Sequence, residues 1–340
     1  MAVTLAKIAE LAGVSRGTVD RALNNRGRVD PQVAERIKKI AKEQDYQPNR
    51  AGKALALAKN PIKIGVIVQS ASTAFMRLVL EGIDYACESL GEHGAQVIVR
   101  TIDGIDAEQE LRLIDELIEL GIGGLAIAPV NDPQIQDRLI EVTQQLPVVT
   151  FNSDMPDCGR MCFVGQDTTA SGRCCAGLMN MLLGGKGKVL VITGHPSNLS
   201  HMCRSEGFMN EIHTSFPGIE LLPLEKCYDR DEIAHEIVCD TLRSHIDLAG
   251  IFVSANGQVG VCRALRELGV DDRVRVICYD ITPPNIENVR NGAIDFLIGQ
   301  DSFAQGTRPA QILYDYLFTG AKPEKELLLT DIEIKTRYNL

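Results

Sequence analysis

From residue 62 to residue 299 the sequence switches repeatedly between two periods, and that alternation leaves few folds open. Short apolar, β-branched runs such as Ile62-Lys63-Ile64-Gly65-Val66-Ile67-Val68 have the composition of parallel strands buried on both faces. They recur at 62–68, 95–100, 124–128, 147–151, 162–164, 189–193, 219–224, 249–253, 274–278 and 295–299. Between them lie segments with apolar residues at steps of three and four, as on one face of a helix. These predict helices over 74–91, 106–120, 132–145, 199–214, 229–244, 256–268 and 283–291, with a further helix opened by Asp167. Strands alternating with helices in this way predict doubly wound α/β sheets. The pattern runs in two blocks, 62–151 and 161–295, so two lobes are expected.

The first 46 residues follow another rule. In Thr4 to Asn24 the apolar residues Leu5, Ile8, Ala9, Ala12, Val14, Val19, Ala22 and Leu23 keep helical spacing, broken once at Gly13. Thr4 and Ser15 can each cap a helix, because a hydroxyl accepts from a free N–H of the following turn. Helix, glycine turn and capped second helix make a helix-turn-helix, whose second helix enters the major groove of DNA. Its outward residues would be Arg16, Gly17, Asp20 and Arg21. Asp30-Pro31 opens a third helix, with Val33, Ile37, Ile40 and Ala41 on its apolar face.

Charge divides the chain at the same place. Residues 1–60 hold 12 Lys+Arg and 6 acids, a net +6. The whole chain carries −10, which leaves −16 for the remainder. A basic head on an acidic body is the footprint of a nucleic-acid-binding module joined to something that does not touch nucleic acid. Residues 47–60, which include Asn49-Arg50-Ala51-Gly52-Lys53-Ala54-Leu55-Ala56, are too short for a helix stable in water by itself.

The run V-T-L-A-K-I-A-E-L-A-G-V-S-x-x-T-V-x-R-A-L-N, then V-D-P-x-V-x-x-R-I and Y-Q-P-N-R-A-G-K-A-L-A, closely resembles the headpiece of the lactose/galactose repressor family. The resemblance implies that Arg16 and Gly17 read base edges and that Arg21 reaches guanine, with Thr4 and Ser15 in the same DNA-facing set. It implies phosphate contacts for Asn24, Asn49 and Arg50. It also implies a hinge helix that docks in the minor groove, where Leu55 wedges between base pairs. Asp20 departs from the Ser common at that position; a carboxylate there can accept from cytosine N4 or pair with Arg16 or Arg21.

Residues 62–336 are similar, more diffusely, to that family's effector domain and to ribose-type periplasmic sugar-binding proteins. The expected fold class is thus α/β: an all-α headpiece and hinge, then a two-lobed, periplasmic-binding-protein-like clamshell. The expected domains are 1–46 (headpiece), 47–60 (hinge) and 61–340 (effector domain). Within the last, lobe 1 is expected at about 61–164 and 296–322, lobe 2 at about 165–295 and 323–340. Ligands bind such folds between the lobes, at the C-terminal ends of the strands. By alignment with the look-alike fold, Phe75, Asn152, Arg204, Asn256, Asp280 and Gln300 would hold the small molecule. An aromatic ring suits the C–H face of a sugar, and carboxylate and amide groups suit its hydroxyls.

The resulting expectation is a cytoplasmic transcriptional regulator, most readily a repressor. It would bind a near-palindromic double-stranded operator as a homodimer and respond to a sugar-like effector. A sugar-binding or sugar-processing protein on the same fold is the alternative. No catalytic residue, metal or cofactor is expected. The stretch G-H-P-S-N-L-S-H, with His195, Ser197 and His201, lacks a nucleophile elbow. Gly184-Gly185-Lys186-Gly187-Lys188 lacks phosphate-loop spacing. The ten Cys read as buried thiols of a reducing compartment. No run of 18 apolar residues and no secretory leader pattern is present, so no membrane partner is expected.

Overall fold

The computed structural model describes residues 3–23, 29–44, 46 and 61–340. Asn24, Asn49, Arg50, Leu55 and the whole 47–60 hinge lie outside the described residues.

The head is three helices: α1 (Leu5–Ala12), α2 (Arg16–Leu23) and α3 (Pro31–Glu43). Thr4 Oγ1 takes the Lys7 N–H, and Ser15 Oγ takes the Thr18 N–H, so both hydroxyls cap as their spacing suggests. Gly13 ends α1 at φ +64, the left-handed conformation that turns the chain toward α2. Ile8, Ala9, Ala12, Val19, Ala22, Ile37 and Ala41 close into one small core. Arg36, on α3, donates from Nη2 to the Ala12 carbonyl at 2.8 Å. It thereby satisfies a free carbonyl at the C-terminus of α1.

The body consists of two sheets. The first has strand order β12-β5-β4-β3-β1-β2, with β1 Ile62–Val68, β2 Ala95–Thr101, β3 Gly124–Ile127, β4 Val148–Phe151, β5 Cys162–Gln166 and β12 Leu327–Thr330. The helices α4 (Ala74–Gly91) and α12 (Ser302–Thr319) cover one face, α5 (Ala107–Glu119) and α6 (Pro133–Thr143) the other. The second sheet runs β13-β11-β10-β9-β6-β7, with β6 Gly187–Thr193, β7 Ile219–Leu221, β9 Leu248–Val253, β10 Arg275–Tyr279, β11 Phe296–Gly299 and β13 Glu333–Lys335; the short β8 (Glu225–Lys226) also pairs β6. On it pack α7 (Thr168–Leu183) and α8 (Leu199–Ser215) on one side. On the other lie α9 (Asp231–Ser244), α10 (Gln258–Glu267) and α11 (Pro283–Arg290). All pairings are parallel except β11 with β13.

Two assignments of the last crossings need correction. The 296–322 piece was expected in lobe 1, but its strand Phe296–Gly299 pairs β10 in the second sheet, and only the helix Ser302–Thr319 crosses back. The 323–340 piece was expected in lobe 2, but Leu327–Thr330 pairs β5 in the first sheet, and only Glu333–Lys335 joins the second. The physical reason is that runs such as Phe296-Leu297-Ile298 and Leu327-Leu328-Leu329 are short and apolar throughout. They show that a strand exists and carry no mark of which sheet receives it.

The chain thus passes between the lobes three times: after β5, after β11 and after β12. Gln166, at the end of β5, donates from Nε2 to the Gly299 carbonyl at 3.0 Å and to the Asp331 carbonyl at 3.1 Å. One buried amide joins all three passages.

Candidate functional site

The strands of both sheets aim their C-terminal ends at the space between the lobes. Each of Phe75, Asn152, Arg204, Asn256, Asp280 and Gln300 lines the cavity found there. Phe75 lies in the first turn of α4, whose cap is the Thr73 hydroxyl on the Met76 N–H. Asn152 follows β4 and Asp280 follows β10. Both adopt left-handed backbone conformations, φ +61 and +79. Ser70 and Asp229, two further lining residues, do the same at +53 and +61. Strained backbone gathered at one cavity is the pattern of a functional site.

The polar groups form a chain. Arg204, on α8, is 2 % exposed, with its guanidinium 4.1 Å from the centroid of the Tyr279 ring. It donates from Nη1 to the Ser254 carbonyl at 3.2 Å and from Nη2 to Gln300 Oε1 at 2.6 Å. Gln300 in turn donates from Nε2 to Asp280 Oδ1, also at 2.6 Å. Burial pushes the Asp280 carboxyl up to about 6, against the opposing pull of Arg204 and Gln300. The Arg204 Nε–H is buried without a partner among the described residues. Gln69 Oε1 is in the same position. These are donors and acceptors in reserve at the cavity wall.

The sequence reading missed the other half of the wall. Asp229 holds the loop ends together: Oδ1 accepts from the Asn256 N–H and Nδ2–H, Oδ2 from the His195 N–H. His201 lies 3.8 Å from Asp229, and burial pushes its imidazole down to about 4, so the ring is neutral. Asn198, Ser200 and Thr73 complete the polar lining, and Met76 adds an apolar side chain. Asp229 follows β8, a two-residue strand, and no hydrophobic run announces it. His201 is weighed in the G-H-P-S-N-L-S-H stretch only as a catalytic candidate and set aside, so its place in the cleft wall goes unread.

The lobes touch directly at this site. Asn131 N–H donates to the Ser197 carbonyl at 2.9 Å, and Ser200 Oγ to the Asn152 carbonyl at 2.7 Å. The free volume left between them is about 20 Å³, room for one water. A larger hollow of about 720 Å³ lies at the opposite ends of β4, β5 and β12. Its buried cation, Arg160, is paired with Asp154 and Glu326. His195 Nδ1 accepts from the Ser197 backbone N–H, so this ring nitrogen faces the backbone of Ser197.

On the head, Arg16, Gly17 and Arg21 are exposed along α2 and Asp20 is half-buried. The Tyr46 phenol is raised first by burial, then by the charge of Asp20, with Arg16 opposing. Asp20, Arg16 and Tyr46 therefore share one neighbourhood beside the outward face of α2.

Comparison with known proteins matches residues 64–322 to the periplasmic binding protein domain, and residues 4–49 to the bacterial regulatory proteins of the lacI family. The sucrose operon repressor of Klebsiella pneumoniae is 31% identical over 160 residues, covering 46% of this chain and 45% of the repressor. The regulator MalR of Staphylococcus xylosus is 32% identical over 162 residues, covering 46% of each. The chain spans about half the length of the curated relatives it matches. Among solved structures, a glucose-galactose binding protein from Geobacillus stearothermophilus superposes with a TM-score of 0.76 at 19% identity, over 83% of this chain and 99% of that one. A solute binding protein from Burkholderia graminis, solved in complex with D-arabinose, gives 0.75 at 23%, over 82% and 96%. At these identities the likeness establishes the fold alone.

Proposed function

We propose, from the premise that the chain belongs to the periplasmic binding protein domain family and carries a lacI-family regulatory domain at its head, that it is a ligand-switched transcriptional regulator. The observation that carries this reading is the meeting of six separately predicted residues in one inter-lobe cavity, behind a basic helix-turn-helix. The head places Arg16, Gly17, Asp20 and Arg21 outward on α2, where a major groove would receive them. Thr4 and Ser15 fix the starts of the two helices. Asn24, Asn49, Arg50 and Leu55 would add phosphate and minor-groove contacts. The protein would act in the cytoplasm, where its DNA is, as a homodimer on a near-palindromic operator. Tyr85 and Phe303, exposed with ring centroids 5.4 Å apart, offer apolar surface to a second copy.

The effector in this reading is a small polyhydroxylated molecule of the sugar class. Phe75 meets its C–H face, Asp280 and Asn152 accept or donate to hydroxyls, and Arg204, Gln300 and Asn256 orient those groups. Solved relatives bound to D-arabinose, on the same fold, support a sugar-like guest. Effector binding shifts the balance between lobe arrangements, and the head follows. The protein is read as a regulator rather than an enzyme because the proteins it resembles are regulators.

The test uses the full-length chain. Duplexes enriched from a random pool give the operator. Sugars that raise the melting temperature are then added to the DNA complex. A sugar that stabilises the protein and changes operator affinity supports the reading. DNA affinity indifferent to every stabilising sugar would sink it.

A further inference from the structure

We infer that the effector is a polyol bearing a protonated amine, of the amino-sugar or aminocyclitol class, and that Asp229 and Asp280 recognise its ammonium group. The inference rests on the sugar-class effector proposed above and adds the charge of the guest.

The ionisable groups of the cavity wall all come from lobe 2: His201, Arg204, Asp229 and Asp280. Lobe 1 supplies Phe75, Met76 and neutral polar groups. The His201 ring carries no charge at pH 7, because burial holds it down to about 4. The wall therefore sets two carboxylates against one guanidinium. A proton on Asp280 would even the balance, but a carboxyl that titrates at about 6 is mostly ionised at pH 7.

That guanidinium is turned to other partners. Arg204 directs Nη1 to the Ser254 carbonyl and Nη2 to Gln300 Oε1, and it lies over the Tyr279 ring. Asp280 is bonded to the neutral amide of Gln300. Asp229 is bonded to N–H groups of His195 and Asn256. The two carboxylates also repel each other, since Asp229 is one of the groups that raise Asp280. The free volume between the lobes is about 20 Å³, so solvent screens the excess charge poorly. A charge shut away from water calls for a counter-charge. In the closed cleft, the guest is what can bring it.

Unmet hydrogen-bonding capacity points the same way. Gln69 is 2 % exposed and lines the cavity. Its Nε2 donates to the Pro129 carbonyl, which leaves Oε1 as an acceptor without a partner among the described residues. An ammonium group has three donors and no acceptor, so it suits both carboxylates and this amide oxygen. The Arg204 Nε–H, also unpartnered there, remains for a hydroxyl of the same guest. A carboxylate or phosphate on the guest would bring acceptors only, and a third negative charge.

The test uses the full-length chain at pH 7, by thermal shift and calorimetric titration. The probes are glucosamine, galactosamine and mannosamine, each set beside its parent hexose and the corresponding hexuronate. In at least one set the amine should bind about tenfold or more tighter than the hexose, as charge-assisted bonds require. The uronate of that set should bind more weakly than either. Asp229→Asn and Asp280→Asn should each shrink the amine-to-hexose preference about fivefold or more. The preference is a ratio within one protein, so a variant that loses its fold loses both affinities and the other variant decides. Equal or tighter binding of the hexose in every set would overturn the inference, as would tighter binding of a uronate or a preference left intact in both variants. Each of these results leaves the sugar-class effector standing. If no probe of any set binds, the sugar-class reading fails first, and this inference with it.

Discussion

Gln300 Nε2 donates to Asp280 Oδ1 at 2.6 Å, and this bond joins the end of β11 to the end of β10 at the floor of the cleft. The carboxylate it supports is buried and stands above its ordinary range, at about 6 rather than 3.8. A carboxylate kept charged in a dry place at neutral pH is a cost that the fold bears for the site's sake.

Asp280→Asn should separate stability from ligand binding. The unfolded carboxyl titrates near 3.8 and the folded one near 6. Between those values the folded protein holds a proton that the unfolded chain has lost, so stability falls as pH rises through this window and stays low above it. Two units amount to roughly 3 kcal/mol. Asparagine keeps an acceptor for Gln300 and tolerates the left-handed φ. Its melting temperature should exceed the parent's at pH 7 and converge on it near pH 4. Binding of the sugars that stabilise the parent should weaken at least tenfold. A lower melting temperature at pH 7 would refute the burial argument.

Glu110→Gln tests the same sign in lobe 1, away from the cleft residues. Glu110 is 0 % exposed, its Oε2 accepts the Val130 N–H at 2.9 Å, and burial pushes it up to about 8. The parent should lose stability as pH rises from 4.5 to 8, by up to roughly 4 kcal/mol, because only the folded state holds the proton there. The glutamine variant lacks this loss. Denaturant midpoints measured from pH 5 to pH 9 should diverge steadily in its favour; parallel curves would exclude the effect.

Gln166→Leu removes the amide that spans the three crossings. The buried Gly299 carbonyl then loses its donor, at about 1–3 kcal/mol, while the Asp331 carbonyl, on an exposed residue, turns to water. A fall of roughly 1–3 kcal/mol in unfolding free energy is expected from urea titration. A change below 0.5 kcal/mol would show that water replaces the amide fully.

Arg36→Ala distinguishes a structural arginine from a phosphate contact. Arg36 Nη2 is bonded to the Ala12 carbonyl. Its loss should loosen the head and weaken DNA binding, while the slope of log affinity against log salt stays unchanged. A lost phosphate contact would instead reduce that slope by about 1.

The sequence carried the head in nearly complete form, because capping hydroxyls, a glycine turn and one apolar stripe are local signals. It carried the alternation of the body for the same reason. Six cleft residues were legible through the resemblance to a known fold, and some of them also because they follow clear strands: Asn152 after Val-Val-Thr-Phe, Asp280 after Val-Ile-Cys-Tyr, Gln300 after Phe-Leu-Ile-Gly. Asp229 was not, since its strand has two residues and its role arises from three donors that converge from distant loops. The destinations of Phe296–Gly299 and Leu327–Thr330 were hidden for a related reason. A strand's neighbour is chosen by tertiary packing, and a run apolar on both sides suits either sheet. Gln166 could not be singled out at all, because its partners lie 133 and 165 residues away.

The cleft's free volume, that of a single water, also bears on timing. A guest many times larger enters only while the lobes stand apart, and leaves only when they part again. Capture then levels off at the opening rate however much of the guest is supplied, and release waits on the same event. If the chain works as proposed, its output would average over brief swings in its effector's supply and answer the sustained ones.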